Sequence, residues 1–336
     1  MDIQSVIDKT NERMNTRKFV KLRKHSSNIG SELIRAVFLL GFSFIILYPI
    51  ISMISKAFMQ QGDIFDNTVI WVPKHFTLDN LKMAAKAMNY KTSFFNSVFI
   101  SALVTVLQTS MCMMVGYGFA RYDFPLKNAL FLLVIVTFLI PPQILMIPLF
   151  LTFRNFDFFG ILSLFKGSGI SLLNTDWPYI MLAVTCQGIR NGLFVFMFRQ
   201  CFRAMPRETE EAAYVDGAGS FCTFIRIMVP NAVTMIATVG LFSFVWQWND
   251  TFYSGLFTNN SNTLSSAYSN FTTTLGLISV EAEGALQSLS FDLKNTMVVS
   301  LLKNAAVFLM MMPLIIVYLI AQRSFVESVE RSGLVG

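Results

Sequence analysis

The sequence predicts an all-α membrane protein with six transmembrane helices, both termini cytosolic, and a polar cytosolic helix between spans four and five. Composition is the first observation: of 336 residues, 54% are hydrophobic and only 14% charged, with 34 Phe and 19 Met. A chain this apolar suits a bilayer better than one soluble domain. Second, six segments (33–56, 93–119, 128–152, 177–198, 230–252 and 297–321) each hold the ~20 mostly apolar residues that a helix rising about 1.5 Å per residue needs to cross. Third, with the N-terminus inside, sixteen Lys and Arg fall in cytosolic segments and eight in outer ones, the bias that sets orientation.

The elements follow in order. Residues 1–32 form a basic cytosolic segment in which Ile3, Val6, Phe19, Val20 and Leu22 are interspersed with Lys and Arg. An interfacial helix on an anionic leaflet and a free tail both fit this pattern. The first span, 33–56, is too long in its apolar core for a cleavable signal peptide, and no small-residue cleavage site follows it. Residues 57–92 are an outer segment with a short helix around Leu78–Met88. Residues 93–322 hold the other five spans as one unit, with an outer segment at 153–176, an inner loop at 199–230 and a long Ser-, Thr- and Asn-rich outer loop at 253–296. Long outer segments usually cover a pore mouth or dock a partner, and unstructured padding is the other reading. Residues 323–336 are a cytosolic C-terminal tail. Pro141, Pro142 and Pro148 interrupt the third span and Pro313 the sixth, because proline removes a backbone donor and kinks a helix.

Several chemistries have no support. The basic residues, despite a pI of about 9.1, are not clustered with base-stacking aromatics, so no nucleic-acid partner is expected. Cys112, Cys186, Cys201, Cys222, His25 and His75 lack metal-ligand spacing. The sequence has neither a nucleophile–base pair nor a phosphate loop, so no catalytic residue, metal or cofactor is assigned. Only Arg190 and Lys303 fall well inside spans, and the absence of a mid-span carboxylate argues against an ion-coupled carrier.

Two polar interruptions are candidates for a substrate path. In Gln187-Gly188-Ile189-Arg190-Asn191-Gly192 the glycines, four apart, either admit a neighbouring helix or mark a polar lining that includes Asn191. Arg190 is also placed to snorkel toward the inner surface. At the outer end of the fifth span stands Trp246-Gln247-Trp248-Asn249-Asp250. Indoles stack on sugar rings while Asn and Asp bond hydroxyls; an interfacial aromatic belt is the other reading. Trp246, Trp248, Asn249, Asp250 and Asn191 are therefore the candidate path residues.

The inner loop carries the specific signal. Pro206 lies near a helix start, and Glu208, Glu210 and Glu211 follow with charges that favour a helix N-terminus. Ala212 and Ala213 are small helix formers. Asp216-Gly217 stops the helix, since glycine takes positive φ without steric strain. Ser220 caps a second segment, Phe221–Val229, that runs to Pro230.

The string Glu211-Ala212-Ala213, three residues, Gly217, nine residues, Ile227, one residue, Val229-Pro230 resembles the "EAA" loop of ABC importer membrane subunits of the binding-protein-dependent (MetI-like) type. Val229 stands where that pattern has Leu. The flanks Phe198-Arg199-Gln200-Cys201-Phe202, Met205-Pro206 and Trp248-Asn249-Asp250 are similar too. So are Asn96-Ser97 and the stretch Gly116-Tyr117-Gly118-Phe119-Ala120-Arg121-Tyr122-Asp123-Phe124-Pro125. The likeness spans most of residues 33–336 and is strongest to the carbohydrate branch, in particular the second membrane subunit of maltose-type importers. That branch commonly ends Gly-Ala-Val-Lys-Gly, whereas this chain ends Ser332-Gly333-Leu334-Val335-Gly336.

The resemblance implies a sugar or oligosaccharide permease, in a prokaryotic plasma membrane, that binds no nucleotide itself. Glu211, Ala212, Ala213 and Gly217, with Asp216 beside them, would form its coupling helix. The implied partners are a dimer of cytosolic ATP-binding subunits, a second homologous permease subunit and an extracellular solute-binding protein, besides membrane lipid.

Overall fold

Helices carry the chain in the computed structural model, which describes residues 32–333 apart from 70, 159, 259–262, 282–291 and 294. The basic segment up to residue 31, part of the 253–296 loop and the last three residues lie outside the described residues. Two isolated bridges, Met59–Phe76 and Phe156–Ile170, are the β-pairing among the described residues.

Helix α1 (Glu32–Ala57) is apolar along its length and long enough to cross a membrane. Its last turn is tied down by α2 (Asp79–Ala87), the short outer helix predicted at Leu78–Met88. Buried Asn80 on α2 donates Nδ2 to the carbonyls of Ala57 and Met59 at 3.2 and 2.7 Å, satisfying groups that a helix end leaves unpaired.

Helix α3 (Tyr90–Arg121) is the central strut, 32 residues long, packed against α7 (Trp177–Val184), α8 (Asn191–Ala204) and α12 (Val233–Trp248). Small and polar residues line its contacts: Ser93, Ser97, Ser101, Thr109 and Gly116 are buried. A Cβ on Gly116 would lie 2.6 Å from Phe198 Cβ, so glycine here permits the close α3–α8 approach on which membrane helix packing depends.

The third predicted span is broken. Helix α4 (Lys127–Leu139) ends at Ile140, which is extended because it precedes a proline. A 3₁₀ turn, Pro142–Leu145, leads into α5 (Met146–Arg154), bent 96° from α4. After α6 (Ile161–Lys166), the fourth predicted span also departs from a single helix. α7 stops at Thr185, and α8 begins only after Cys186 and Arg190, at φ 55° and 61°. Of the two glycines only Gly192 has a packing role: a Cβ there would lie 2.5 Å from the Val134 carbonyl oxygen of α4, whereas one on Gly188 would meet nothing nearer than 3.5 Å.

The inner loop holds α9 (Glu208–Val215) and α10 (Ser220–Thr223), then a π-helical turn, Phe224–Met228, and the short α11 (Val229–Asn231). Pro230 cannot donate to the preceding turn, and a wide π turn accommodates this. Asn231 Nδ2 donates to the Ile227 carbonyl at 2.9 Å. The chain then bends 78° into α12, so the fifth predicted span is a broken pair as well.

The predicted outer loop 253–296 is in its described part largely helical: α13 (Phe252–Phe257), α14 (Leu264–Ser269) and α15 (Phe271–Glu281). Leu264, Phe271 and Leu275 bury fully against α16 (Thr296–Gly333) and α2. Helix α16 runs through Pro313 without ending and continues past the expected tail boundary at 322 to Gly333. Among the described residues three helices, α1, α3 and the Thr296–Ile320 part of α16, are apolar and long enough to cross a membrane; the two bent pairs would raise this to five.

Candidate functional site

Helix α9 is exposed on one side and anchored on the other. Its end is a left-handed stop: Gly217 has φ 83°, its N–H donates to the Tyr214 carbonyl at 3.1 Å, and the Ala218 N–H reaches back to Ala213 at 2.9 Å. That bond pattern satisfies the last carbonyls and needs a residue without Cβ at position 217.

Beneath α9 lies an anchor that inspection of the loop alone does not assign. Glu210 is buried; its Oε1 accepts a 2.9 Å hydrogen bond from Tyr117 Oη, and its Oε2 lies 3.1 Å from Arg121 Nε. Arg121, with a side chain only 6% exposed, also donates Nη2 to the Met205 carbonyl at 2.8 Å. The charges are thus removed from water but paired and hydrogen-bonded, the condition under which burial is tolerated. Phe202 and Phe224 pack against the Tyr117 ring at centroid distances of 5.3 and 4.7 Å. Tyr117 and Arg121 sit in the last turns of α3, so the C-terminal end of the strut is fastened to α9 directly.

The sequence-derived loop residues divide by face. Glu211, Ala212, Asp216 and Gly217 are exposed, whereas Ala213 is 5% exposed and packs inward beside Glu210. Ala213 falls three residues after Glu210, on the same helix face. The outward surface gains Tyr214, Val215 (88% exposed) and Phe221 instead. Apolar groups exposed in water beside carboxylates suit a surface that another protein covers.

The other candidate residues do not form one cluster. Trp248 is fully buried; its Nε1 donates to the Met310 carbonyl at 3.2 Å, and its ring meets Phe94 and Phe244. Asp250, also buried, caps α13 by accepting from the N–H groups of Phe252, Tyr253 and Ser254 at 3.0–3.2 Å. These two lock the end of α12 and present no free face. Asn249 is exposed. Trp246 is half-buried, stacked between Phe194 and Phe242 at 5.5 and 5.6 Å, with the Arg190 guanidinium 5.7 Å from its ring centroid.

Asn191 belongs to a polar seam between α3, the α7–α8 break and α12. Gln108, buried midway along α3, donates Nε2 to the Ile189 carbonyl at 2.6 Å and to Asn191 Oδ1, and accepts from Ser243 Oγ at 2.7 Å. Gln108 was open to detection as a bonding amide in an apolar run, but its partners are 83 and 135 residues away. At the α7 end of the bundle a cleft of about 540 Å³ is lined by Asn96, Phe99, Asp176 and Trp177, among others.

Broken apolar helices around a polar seam, with a tethered polar helix at one end, define a multi-pass membrane permease. The family model described as "Binding-protein-dependent transport system inner membrane component" matches residues 112–331, and the chain belongs to that family. It is 32% identical over 211 residues to "Arabinooligosaccharides transport system permease protein AraQ" of Halalkalibacterium halodurans, covering 62% of this chain and 69% of that one. It is 26% identical over 211 residues to "Diacetylchitobiose uptake system permease protein NgcG" of Streptomyces coelicolor, covering 63% and 64%. A solved bacterial ABC transporter involved in the import of the acidic polysaccharide alginate shares its fold, with a TM-score of 0.65 over 87% of this chain and 95% of that one, at 20% identity.

Proposed function

We propose that this chain is a permease subunit of an ATP-driven importer of sugars or oligosaccharides, forming half of the translocation path. The observation that carries the reading is α9: held from inside by Glu210, it offers Glu211, Ala212, Asp216, Gly217 and three exposed apolar side chains outward. These residues dock in a cytosolic ATP-binding subunit, one of a dimer that hydrolyses ATP, while Ala213 supports them from beneath.

In this reading six spans cross the membrane with both termini cytosolic: α1, α3, α4–α5, α7–α8, α11–α12 and α16. A second homologous permease completes the path, and an extracellular solute-binding protein delivers the cargo to the outer segments. Residues 93–322 are the permease core, flanked by the basic segment 1–32, the first span with its outer segment, and the tail 323–336. Trp246 and Asn249 face the path, while Trp248, Asp250 and Asn191 hold its walls. The outer cleft supplies aromatic faces, Phe99 and Trp177, beside Asp176 and Asn96, a combination that suits stacked, hydroxyl-rich rings. The carbohydrate substrates named for the relatives support the same cargo class.

The test is reconstitution of the assembled importer in vesicles with its binding protein. Sugar uptake should need ATP on the side that carries α9. Uptake by this chain with no ATPase subunit would make it a self-sufficient carrier or channel. Uptake confined to a non-sugar solute would refute the cargo.

A further inference from the structure

A second cleft, of about 700 Å³, opens between the α3–α4 turn and the C-terminal end of α8. Four cations line it, Lys127, Arg199, Arg203 and Arg207, against one carboxylate, Asp123. That carboxylate is already bonded to Lys127, at 3.0 Å. Arg199 and Arg203 stand one helical turn apart on α8, and Arg207 immediately precedes α9. The Arg199 guanidinium lies 3.9 Å from the Phe131 ring centroid on α4, and its Nε is buried without a hydrogen-bond partner.

The floor and lip are apolar. Phe119 and Phe124 line the cleft, and Leu126, 75% exposed, holds a φ of 60° that few side chains adopt. From Leu126 an exposed stripe continues along α4 through Leu130 and Leu133 at helical spacing. A cationic cleft that opens onto an apolar, exposed helix has the two-part character of a phospholipid site. Guanidinium groups fork onto phosphate oxygens, and acyl chains follow the apolar stripe.

We infer that this cleft binds the phosphodiester headgroup of an anionic phospholipid, with its acyl chains along Leu126, Leu130 and Leu133. The inference rests on the proposed orientation only for the leaflet concerned, the inner one. The site abuts α9 through Arg207, so an occupied cleft would brace the helix start.

The experiment uses the assembled importer in nanodiscs of equimolar phosphatidylcholine and phosphatidylglycerol, with retained lipid read by native mass spectrometry. Wild type should retain phosphatidylglycerol selectively. The double variant Arg203→Gln/Arg207→Gln should lower that selectivity about tenfold or more, given the worth of each basic side chain near an anionic surface. Arg226→Gln, an exposed cation outside the cleft, should leave it unchanged. Equal retention by wild type and double variant overturns the site. Displacement by inorganic phosphate with no selective lipid retention assigns the cleft to a free anion and overturns the lipid. Should the double variant fail to assemble, a photoreactive phosphatidylglycerol on the wild-type complex decides. Crosslinks within 119–133 or 199–207 support the site, and crosslinks only elsewhere refute it. Neither readout depends on ATPase coupling, so their failure leaves the proposed function standing.

Discussion

Tyr117 Oη donates a 2.9 Å hydrogen bond to Glu210 Oε1 across 93 residues of chain, joining the central helix α3 to the short one that faces outward. With Arg121 it makes the orientation of α9 a property of the bundle rather than of the loop. Glu210→Ala would strand Arg121 as a buried, unpaired charge, a change that costs about 3–5 kcal/mol. Tyr117→Phe removes one bond to a charged acceptor, about 1.5–3 kcal/mol. Both variants should insert normally, yet expose 205–220 to limited proteolysis, Glu210→Ala more strongly. Equal protection of wild type and Glu210→Ala would dismiss the anchor.

The outward face of α9 should respond differently. Glu211→Lys should abolish uptake and loosen the ATPase subunit without lowering the chain's own thermal stability. Gly217→Pro should also abolish uptake and loosen the ATPase subunit, here by destroying the helix stop, because a φ of 83° lies far from the roughly −65° that proline imposes. Unchanged ATPase co-purification and uptake in both variants would remove the coupling role.

On the proposed reading the two indoles of α12, two residues apart, have different roles, Trp246 facing the path and Trp248 its wall. Trp248→Ala should lower stability by about 3–5 kcal/mol, the range for deleting a buried aromatic. Trp246→Ala should leave assembly largely intact and slow uptake several-fold. Normal uptake by Trp246→Ala returns that residue to packing, and thermal melting of both variants provides the control.

The two glycines of the α7–α8 break should behave unequally. Gly192→Ala forces a contact 2.5 Å from the Val134 carbonyl and should cost about 1–3 kcal/mol. Gly188→Ala finds its nearest atom at 3.5 Å and should be tolerated. Equal melting temperatures for the two variants would mean that α4 does not press on α8 here.

Asp63 supplies a pH dependence in the segment between α1 and α2. Burial raises its pKa, but the hydrogen bonds from the His75 ring and N–H, both 2.7 Å, outweigh that and leave it below the usual carboxylate value. A depressed folded-state pKa gives stabilisation that is present above about pH 4 and is lost as pH falls through the folded value. Amide exchange in 58–77 should therefore accelerate in acid. Asp63→Asn should flatten that response, and an unaltered acid profile would discount the pair.

The sequence displays the membrane class, the straight spans and the short α2 helix because these depend on local composition and period. Pro141-Pro142 marks its own break, whereas the 185–190 break is diluted in a hydropathy window by apolar neighbours. The helices within 253–296 were legible in principle: Leu264, Ala267, Phe271 and Leu275 recur at helical spacing beneath a polar Ser and Thr surface. In the inner loop, composition cannot tell Glu210 from Glu211. Only the position of Tyr117, set by packing around Phe202 and Phe224, decides which carboxylate turns inward.

Helix α3 has a mechanical consequence. Its 32 residues span about 48 Å at 1.5 Å each, more than the hydrocarbon thickness of a bilayer. Near one end Ser97 Oγ receives the Leu264 N–H at 2.8 Å, and at the other Tyr117 grips α9. It is thus a lever with a handle near each of its ends. Tilting it by about 5° about one end would carry the other by about 4 Å. A displacement of α9 would therefore move the Ser97 end of α3 with no relay of intervening side chains.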